Sequence, residues 1–175
     1  MHQSIYLASQ SPRRAELLKQ LGVRFELLLP QANEDAEALE IQLEGEASID
    51  YVSRVTLAKL EAARVRLSKL NKPWAPILSA DTTVAINTDH GELILGKPNN
   101  HEHALQILSE LNGKTHIVHT AVAILPSADQ SPLIRVSSSE VSFGQWSLEK
   151  LQAYVKTNEP MGKAGAYGIQ GIGGS

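Results

Sequence analysis

Apolar runs suited to strands alternate with stretches that repeat every three to four residues. That alternation limits the 175-residue chain to an α/β or α+β architecture. Ile5-Tyr6-Leu7-Ala8 reads as a short buried strand. Ser11, Pro12 and Gly22 predict a helix over 12–21, with Ser11 as N-cap, Pro12 at the first helical position and Gly22 just past the end. Val23 to Leu29 reads as the next strand, 31–46 as an acidic loop and about 48–70 as a long helix. A strand over 76–86, a turn at 87–91 and a return over 92–95 form a hairpin signal. The helix expected at 100–112 puts Ala104, Leu105, Leu108 and Leu111 on one face and stops at Gly113. Segments 115–125 and 133–143 pair across the 126–132 loop, and a short helix over 147–156 begins at Ser147. The end is glycine-rich, at 162, 165, 168, 171, 173 and 174.

With 42% hydrophobic and 20% charged residues, the chain has the means to bury a core as one domain or two small lobes. The absence of cysteine excludes disulfides, thiol nucleophiles and thiolate metal sites. A net charge of -3 argues against a nucleic-acid partner, whose binding domains are usually basic. No apolar run approaches a membrane span, and Met1-His2-Gln3-Ser4 lacks the basic start of a signal peptide. The expectation is no membrane partner and a cytoplasmic address. Charge is unevenly placed: no Lys or Arg lies between Arg24 and Arg54, where Glu34, Asp35, Glu37, Glu40, Glu44, Glu46 and Asp50 all fall. Most of these read as solvated, with one or two available as metal ligands if the loop closes over a site.

Chemistry concentrates at three places. In Ser9-Gln10-Ser11-Pro12-Arg13-Arg14 a strand ends and a helix opens with two arginines in its first turn, where the helix dipole disfavours cations. An anion held by Ser9, Ser11, Arg13 and Arg14 resolves the conflict; solvated arginines on a plain Ser-Pro helix start are the alternative. Lys59 falls on the apolar stripe of its helix with Val52, Val55, Ala63 and Leu70, so it has an anionic partner or snorkels to the surface. Asp81 interrupts an apolar strand, so it is paired, bound to a metal, or caps a bend. Lys97 adds a cation on the Gly96-Lys97-Pro98 turn. Together these suit a phosphorylated substrate and a hard divalent ion. Asn112-Gly113-Lys114-Thr115 fails as a P-loop, because Leu108 stands where the first glycine belongs and a strand follows. The segment from Gly171 lacks the context of a dinucleotide fingerprint, and His101/His103 and His116/His119 read as solvated or locally hydrogen-bonded.

Leu7-Ala8-Ser9-Gln10-Ser11-Pro12-Arg13-Arg14, Ala80-Asp81-Thr82, Gly96-Lys97-Pro98, Gly113-Lys114-Thr115-His116 and Lys163 to Gly171 resemble the motifs of the Maf family, in the family's order and over almost the whole chain. The resemblance implies an α/β structure, a mixed sheet with flanking helices in an elongated two-lobed Maf/Ham1-like fold with a central cleft. The chain would form a single such domain over 1–175, with the family's closing strand and helix absent after Ser175. Members are often homodimers. It implies a nucleoside triphosphate pyrophosphatase that removes non-standard or excess nucleotides, with a link to arrest of cell division. Gly-Ala-Tyr-Gly-Ile-Gln-Gly looks like the branch acting on dTTP and UTP; the alternatives are the 7-methyl-GTP branch and a catalytically weak nucleotide-binding regulator.

By the same likeness Asp81 is the proton acceptor, and Arg13, Thr82 and Gln170 shape base selection. Lys59 and Lys97 face the phosphates, and Glu34 stands near the metal. The implied cofactor is a divalent cation, Mg²⁺ or Mn²⁺, held by Glu34 and Asp81. One departure is Gly162, where this branch usually has Asp.

Overall fold

The strands are β1 (Ile5–Leu7), β2 (Phe25–Leu27), β3 (Ile77–Thr88), β4 (Gly91–Leu95), β5 (Thr115–Leu125) and β6 (Leu133–Ser142). The helices are α1 (Pro12–Gln20), α2 (Ser48–Lys69), α3 (His101–Leu111) and α4 (Leu148–Lys156), with short 3₁₀ turns at Glu37–Glu40, Ala164–Ala166 and Ile172–Gly174. They come from a computed structural model that describes residues 4–174; Met1, His2 and Gln3 of the N-terminal segment, and Ser175, lie outside the described residues. The sheet is mixed. Its strand order is β2-β1-β3-β5-β6, with β1 parallel to both β2 and β3 and β4 antiparallel to β3. Among the described residues no helix is long and apolar enough to cross a membrane.

Turn chemistry sets the boundaries. Gly22 and Gly113 follow α1 and α3 with φ near +70°, a region glycine enters without steric cost. The Asn100 side chain accepts the His103 N–H at 2.8 Å and caps α3, a role the sequence reading did not give it. The helix expected to begin at Ser147 begins at Leu148, and Ser147 caps it, accepting from the Lys150 N–H at 3.5 Å. Ser11 occupies the N-cap position of α1 but makes no side-chain cap; Ser9 serves that turn instead, its Oγ accepting the Ser11 N–H at 3.3 Å. The strand expected over 23–29 shortens to Phe25–Leu27, in register with the three residues of β1 that can pair with it. β3 outlasts the expected 76–86 because Gly91 lets the hairpin pair as far as Thr88.

The chain divides into two compact units. One comprises the residues up to Asp81 with Thr120–Val136; the other comprises Thr82–His119 with the residues from Ser137 onward. The first packs Leu60, Ala63 and Leu67 of α2 against Tyr6, Leu28, Ile77, Ala123 and Leu125. Each buried leucine there contributes about 1.5–3 kcal/mol relative to exposure. The second packs Ala104, Ile107, Leu108 and Leu111 of α3 with Leu151 and Val155 of α4 against Val84, Ile86 and Leu95.

Inside the second core, His116 is buried. Its Nε2 pairs with the Tyr167 hydroxyl at 2.8 Å, and its ring meets Phe143 and Tyr167 edge-on at centroid distances of 5.0 and 5.5 Å. His116 is therefore locally hydrogen-bonded and not solvated. Burial pushes its pKa below the ordinary histidine value. A folded-state pKa below the unfolded one means the neutral ring's contribution is complete above about pH 6.5 and is lost as the pH falls. His116→Phe should lower the thermal midpoint at about pH 8, and its deficit against wild type should shrink toward about pH 5. Parallel decline of the two midpoints would show that His116 does not carry the acid sensitivity.

Candidate functional site

The first unit gathers charge where β1 gives way to α1. Ser9, in the connecting turn, is buried, and Arg14 in the first helical turn reaches inward. The Arg14 Nη1 donates to Ser9 Oγ at 3.0 Å and to the Ala80 carbonyl at 2.7 Å, which ties the start of α1 to the residue preceding Asp81. Burial pulls the Arg14 pKa below its ordinary value; the charges of Asp81 and Glu40 oppose that pull and Arg13 adds to it. Arg13 itself is exposed. Of the two arginines, only Arg14 is turned into the protein.

Lys59 does not snorkel. Its Nζ donates to Asp81 Oδ1 at 2.6 Å and lies 2.8 Å from Glu40 Oε1, with 18% of its side chain exposed. The anion expected on the apolar stripe is thus a pair of carboxylates. Asp81 does not cap a bend either: β3 runs through it unbroken, and a buried carboxylate in a strand is tolerated because an ammonium meets it. Tyr51 completes the surroundings by donating its hydroxyl to the Glu40 carbonyl at 2.8 Å. Burial first, then the charges of Asp81 and Glu40, push the Tyr51 pKa up to about 12, so the phenol remains a donor.

The acidic 31–46 segment runs antiparallel to α2 through three ion pairs. Glu34 grips Arg66 through two bonds of 2.8 and 2.6 Å, Glu40 meets Lys59, and Glu46 grips Arg54 at 2.5 and 2.8 Å. Arg66 is buried and also donates to the Leu28 carbonyl at 2.8 Å. The Arg66 hydrogen bonds hold the Glu34 pKa below its ordinary value. Glu34, expected beside a metal, therefore has both carboxylate oxygens engaged by a guanidinium. Among the described residues no group of three or more His, Cys, Asp or Glu side chains is arranged to hold a metal.

Ser9, Ser11, Arg14, Lys59 and Asp81 thus gather in the first unit, with Arg13 on the same turn and Glu34 drawn off to Arg66. Thr82, Lys97 and Gln170 belong to the second unit. Thr82 is half-buried, and Lys97 and Gln170 are exposed. There the Gly96 carbonyl, next to Lys97, accepts the Gly165 N–H at 3.1 Å. A Cβ at Gly165 would stand 2.8 Å from Val84, so only glycine allows that approach. Two residues of the site escaped the sequence reading. Arg66 lies seven positions after Lys59 on the same stripe and carried a readable signal; Glu40 was one acid among six in its segment.

Removing Lys59 takes away the ammonium that Asp81 and Glu40 share, while the Arg14 charge still acts on both. Lys59→Met should cost about 1–3 kcal/mol, less than the ~3–5 kcal/mol of a fully buried broken pair because the site is partly solvated. Adding Glu40→Gln should return part of that loss. Strictly additive losses in a double-mutant cycle of unfolding free energies would refute the coupling.

The sequence matches the family described as Maf-like protein over residues 4–175. A protein of Burkholderia lata named dTTP/UTP pyrophosphatase is 54% identical over 168 residues, spanning 96% of this chain and 78% of that protein. Proteins of the same name from Albidiferax ferrireducens and Cupriavidus pinatubonensis are 50% and 49% identical over 171 residues, spanning 98% of this chain and 82% of each. Among solved structures, the Staphylococcus aureus Ham1 protein aligns with a TM-score of 0.50 at 13% identity, over 79% of this chain and 71% of that one. That likeness speaks for the fold, which is a mixed α/β sheet with flanking helices as expected. With the family matched over residues 4–175 and the relatives 49–54% identical, the chain belongs to the Maf-like family.

Proposed function

We propose that the chain is a nucleoside triphosphate pyrophosphatase that hydrolyses dTTP and UTP to the nucleoside monophosphate and diphosphate. The relatives' shared name supports the substrate, and one observation carries the chemistry: a buried carboxylate, Asp81, sits with Lys59 and Arg14 beside the turn after β1. Hydrolysis of the α–β anhydride needs the phosphate charge neutralised, a water deprotonated and the leaving diphosphate stabilised. Asp81 takes the water's proton as the water oxygen bonds to phosphorus and the bridging P–O bond breaks. Arg13, Arg14, Lys59 and Lys97, with the hydroxyls of Ser9 and Ser11, hold the phosphates. An incoming phosphate competes with Glu40 for Lys59.

A divalent cation, Mg²⁺ or Mn²⁺, fits the hard oxygen donors of this unit. Asp81 would hold it together with Glu34, as the family likeness implies, or with Glu40; the shared ammonium of Asp81 and Glu40 supports Glu40, since freeing Glu34 would strand the buried Arg66. When bound, the ion screens phosphate charge and lowers the pKa of a coordinated water. Gln170 offers an N–H to O4 and a carbonyl to the N3–H of thymine or uracil, and Thr82 and Arg13 complete base selection. A cytoplasmic address, where nucleotide pools lie, belongs to the same reading.

Asp81→Asn should lower diphosphate release from dTTP by at least ~10²-fold while nucleotide binding persists. The measurement is diphosphate release across dTTP, UTP, dCTP, dGTP and 7-methyl-GTP with Mg²⁺ or Mn²⁺. Near-normal turnover in the variant removes Asp81 from the chemistry. Preference for 7-methyl-GTP in the wild type would assign the sister activity, and binding without release would assign a regulator. Glu40→Gln should raise the metal concentration needed for half-maximal rate, and Glu34→Gln should mainly lower the thermal midpoint. The reverse pattern would return the metal to Glu34.

A further inference from the structure

We infer that Glu159 is a positioning residue for base selection: its carboxylate shapes the loop that presents Gln170. This rests on the reading of Gln170 as a base reader. Glu159 lies just beyond α4, and its Oε1 accepts the Gly173 N–H at 3.0 Å and the Tyr154 hydroxyl at 2.9 Å. Its Oε2 accepts the Ile172 N–H at 3.0 Å. The Tyr154 oxygen in turn accepts the Gly168 N–H at 3.4 Å. Gln170 therefore sits in a turn closed by the Gly171 N–H on the Gly168 carbonyl at 3.0 Å, and both flanks of that turn lead back to one carboxylate.

The backbone wraps closely around this group. A Cβ at Gly171 would lie 2.6 Å from both Glu159 carboxylate oxygens, so a side chain there would push the carboxylate out of its place. The bonds from Gly173 and Ile172, together with Tyr154 and the nearby Lys163, hold the Glu159 pKa below its ordinary value, which keeps it an acceptor at neutral pH. Burial and the Glu159 bond raise the Tyr154 pKa, which keeps the phenol a donor. Lys163 also donates to the Glu159 carbonyl, so the turn that delivers the carboxylate is itself tied at its far end. A loop with four glycines between 168 and 174 has little intrinsic preference for one shape, and the carboxylate supplies what the sequence withholds. Gln170 is exposed, and its aim follows from the backbone that carries it.

The test uses the full chain with Glu159→Gln, which keeps the size of the side chain but replaces one acceptor oxygen by a donor. Amide hydrogen exchange of residues 168–174 should accelerate about 10-fold, the weight of a bond to a charged acceptor, with exchange in α3 unchanged. The ratio of kcat/KM for dTTP over dCTP should fall about 10-fold as well. Glu159→Gln combined with Gln170→Leu should lower that ratio no further than Gln170→Leu alone, because both act through one amide. Tyr154→Phe, which spares the two backbone bonds to Glu159, should give a smaller shift of the same kind and serves if the first variant folds poorly. Unchanged exchange, or an equal loss for every nucleotide, would overturn the inference. If Gln170→Leu alone keeps the preference, the base-reader role fails and the Glu159 role in selection falls with it. Exchange would then still show separately whether the carboxylate holds the loop.

Discussion

A lysine that faces inward governs the first unit. Lys59 could not sit among Val52, Val55 and Ala63 unless charge met it there, and it draws Asp81 from β3 and Glu40 from the acidic segment onto a single ammonium. Arg14 reaches the same neighbourhood from α1 by binding the carbonyl of Ala80. Three elements distant in sequence are thereby fixed around one carboxylate. Lys59 and Arg14 bring positive charge to Asp81 and Glu40, and in the proposed reaction a polyphosphate would compete with Glu40 for Lys59. The contacts that stabilise the fold here are the ones that binding would rearrange.

The clasp along α2 is uneven in burial. Both ends of the clasp are bidentate, but the Arg54 side chain is 35% exposed and Arg66 only 5%, so it is Glu34–Arg66 that satisfies a buried guanidinium. The 31–46 segment has few apolar residues to bury, and Ile41 and Leu43 remain exposed. Its order therefore depends on pairing with α2 through Glu34, Glu40 and Glu46.

Punctuation made the fold legible: Pro12 and Gly22 bound α1, Asn87 to Gly91 mark the hairpin, and Gly113 ends α3. These signals are local, and tertiary context had only to trim β2 to its partner and extend β3 by pairing. The site was legible where a residue conflicted with its surroundings, as Lys59 and Asp81 do on apolar faces. Arg66 carried the same conflict one helical repeat later. Glu40 did not, because an acid in an acidic loop looks the same whether solvated or paired. Glu159 left no sequence mark at all: its partners are backbone N–H groups, which every residue but proline has.

The two units order their functional loops by different means. The first relies on ion pairs at a partly solvated surface, which salt weakens. The second relies on a carboxylate bonded to backbone, a buried His116–Tyr167–Phe143 group and glycines that permit close approach. Gly162 is understandable in those terms. The family branch resembled by this chain usually has Asp there, yet Gly162 has φ near +73° and a Cβ at that position would meet nothing within 4 Å. Glycine fits that backbone at no steric cost, and an aspartate would fit it with modest strain and reach open space. The order of the loop that carries Gln170 thus does not hang on residue 162, since Glu159 and Tyr154 already hold both of its flanks.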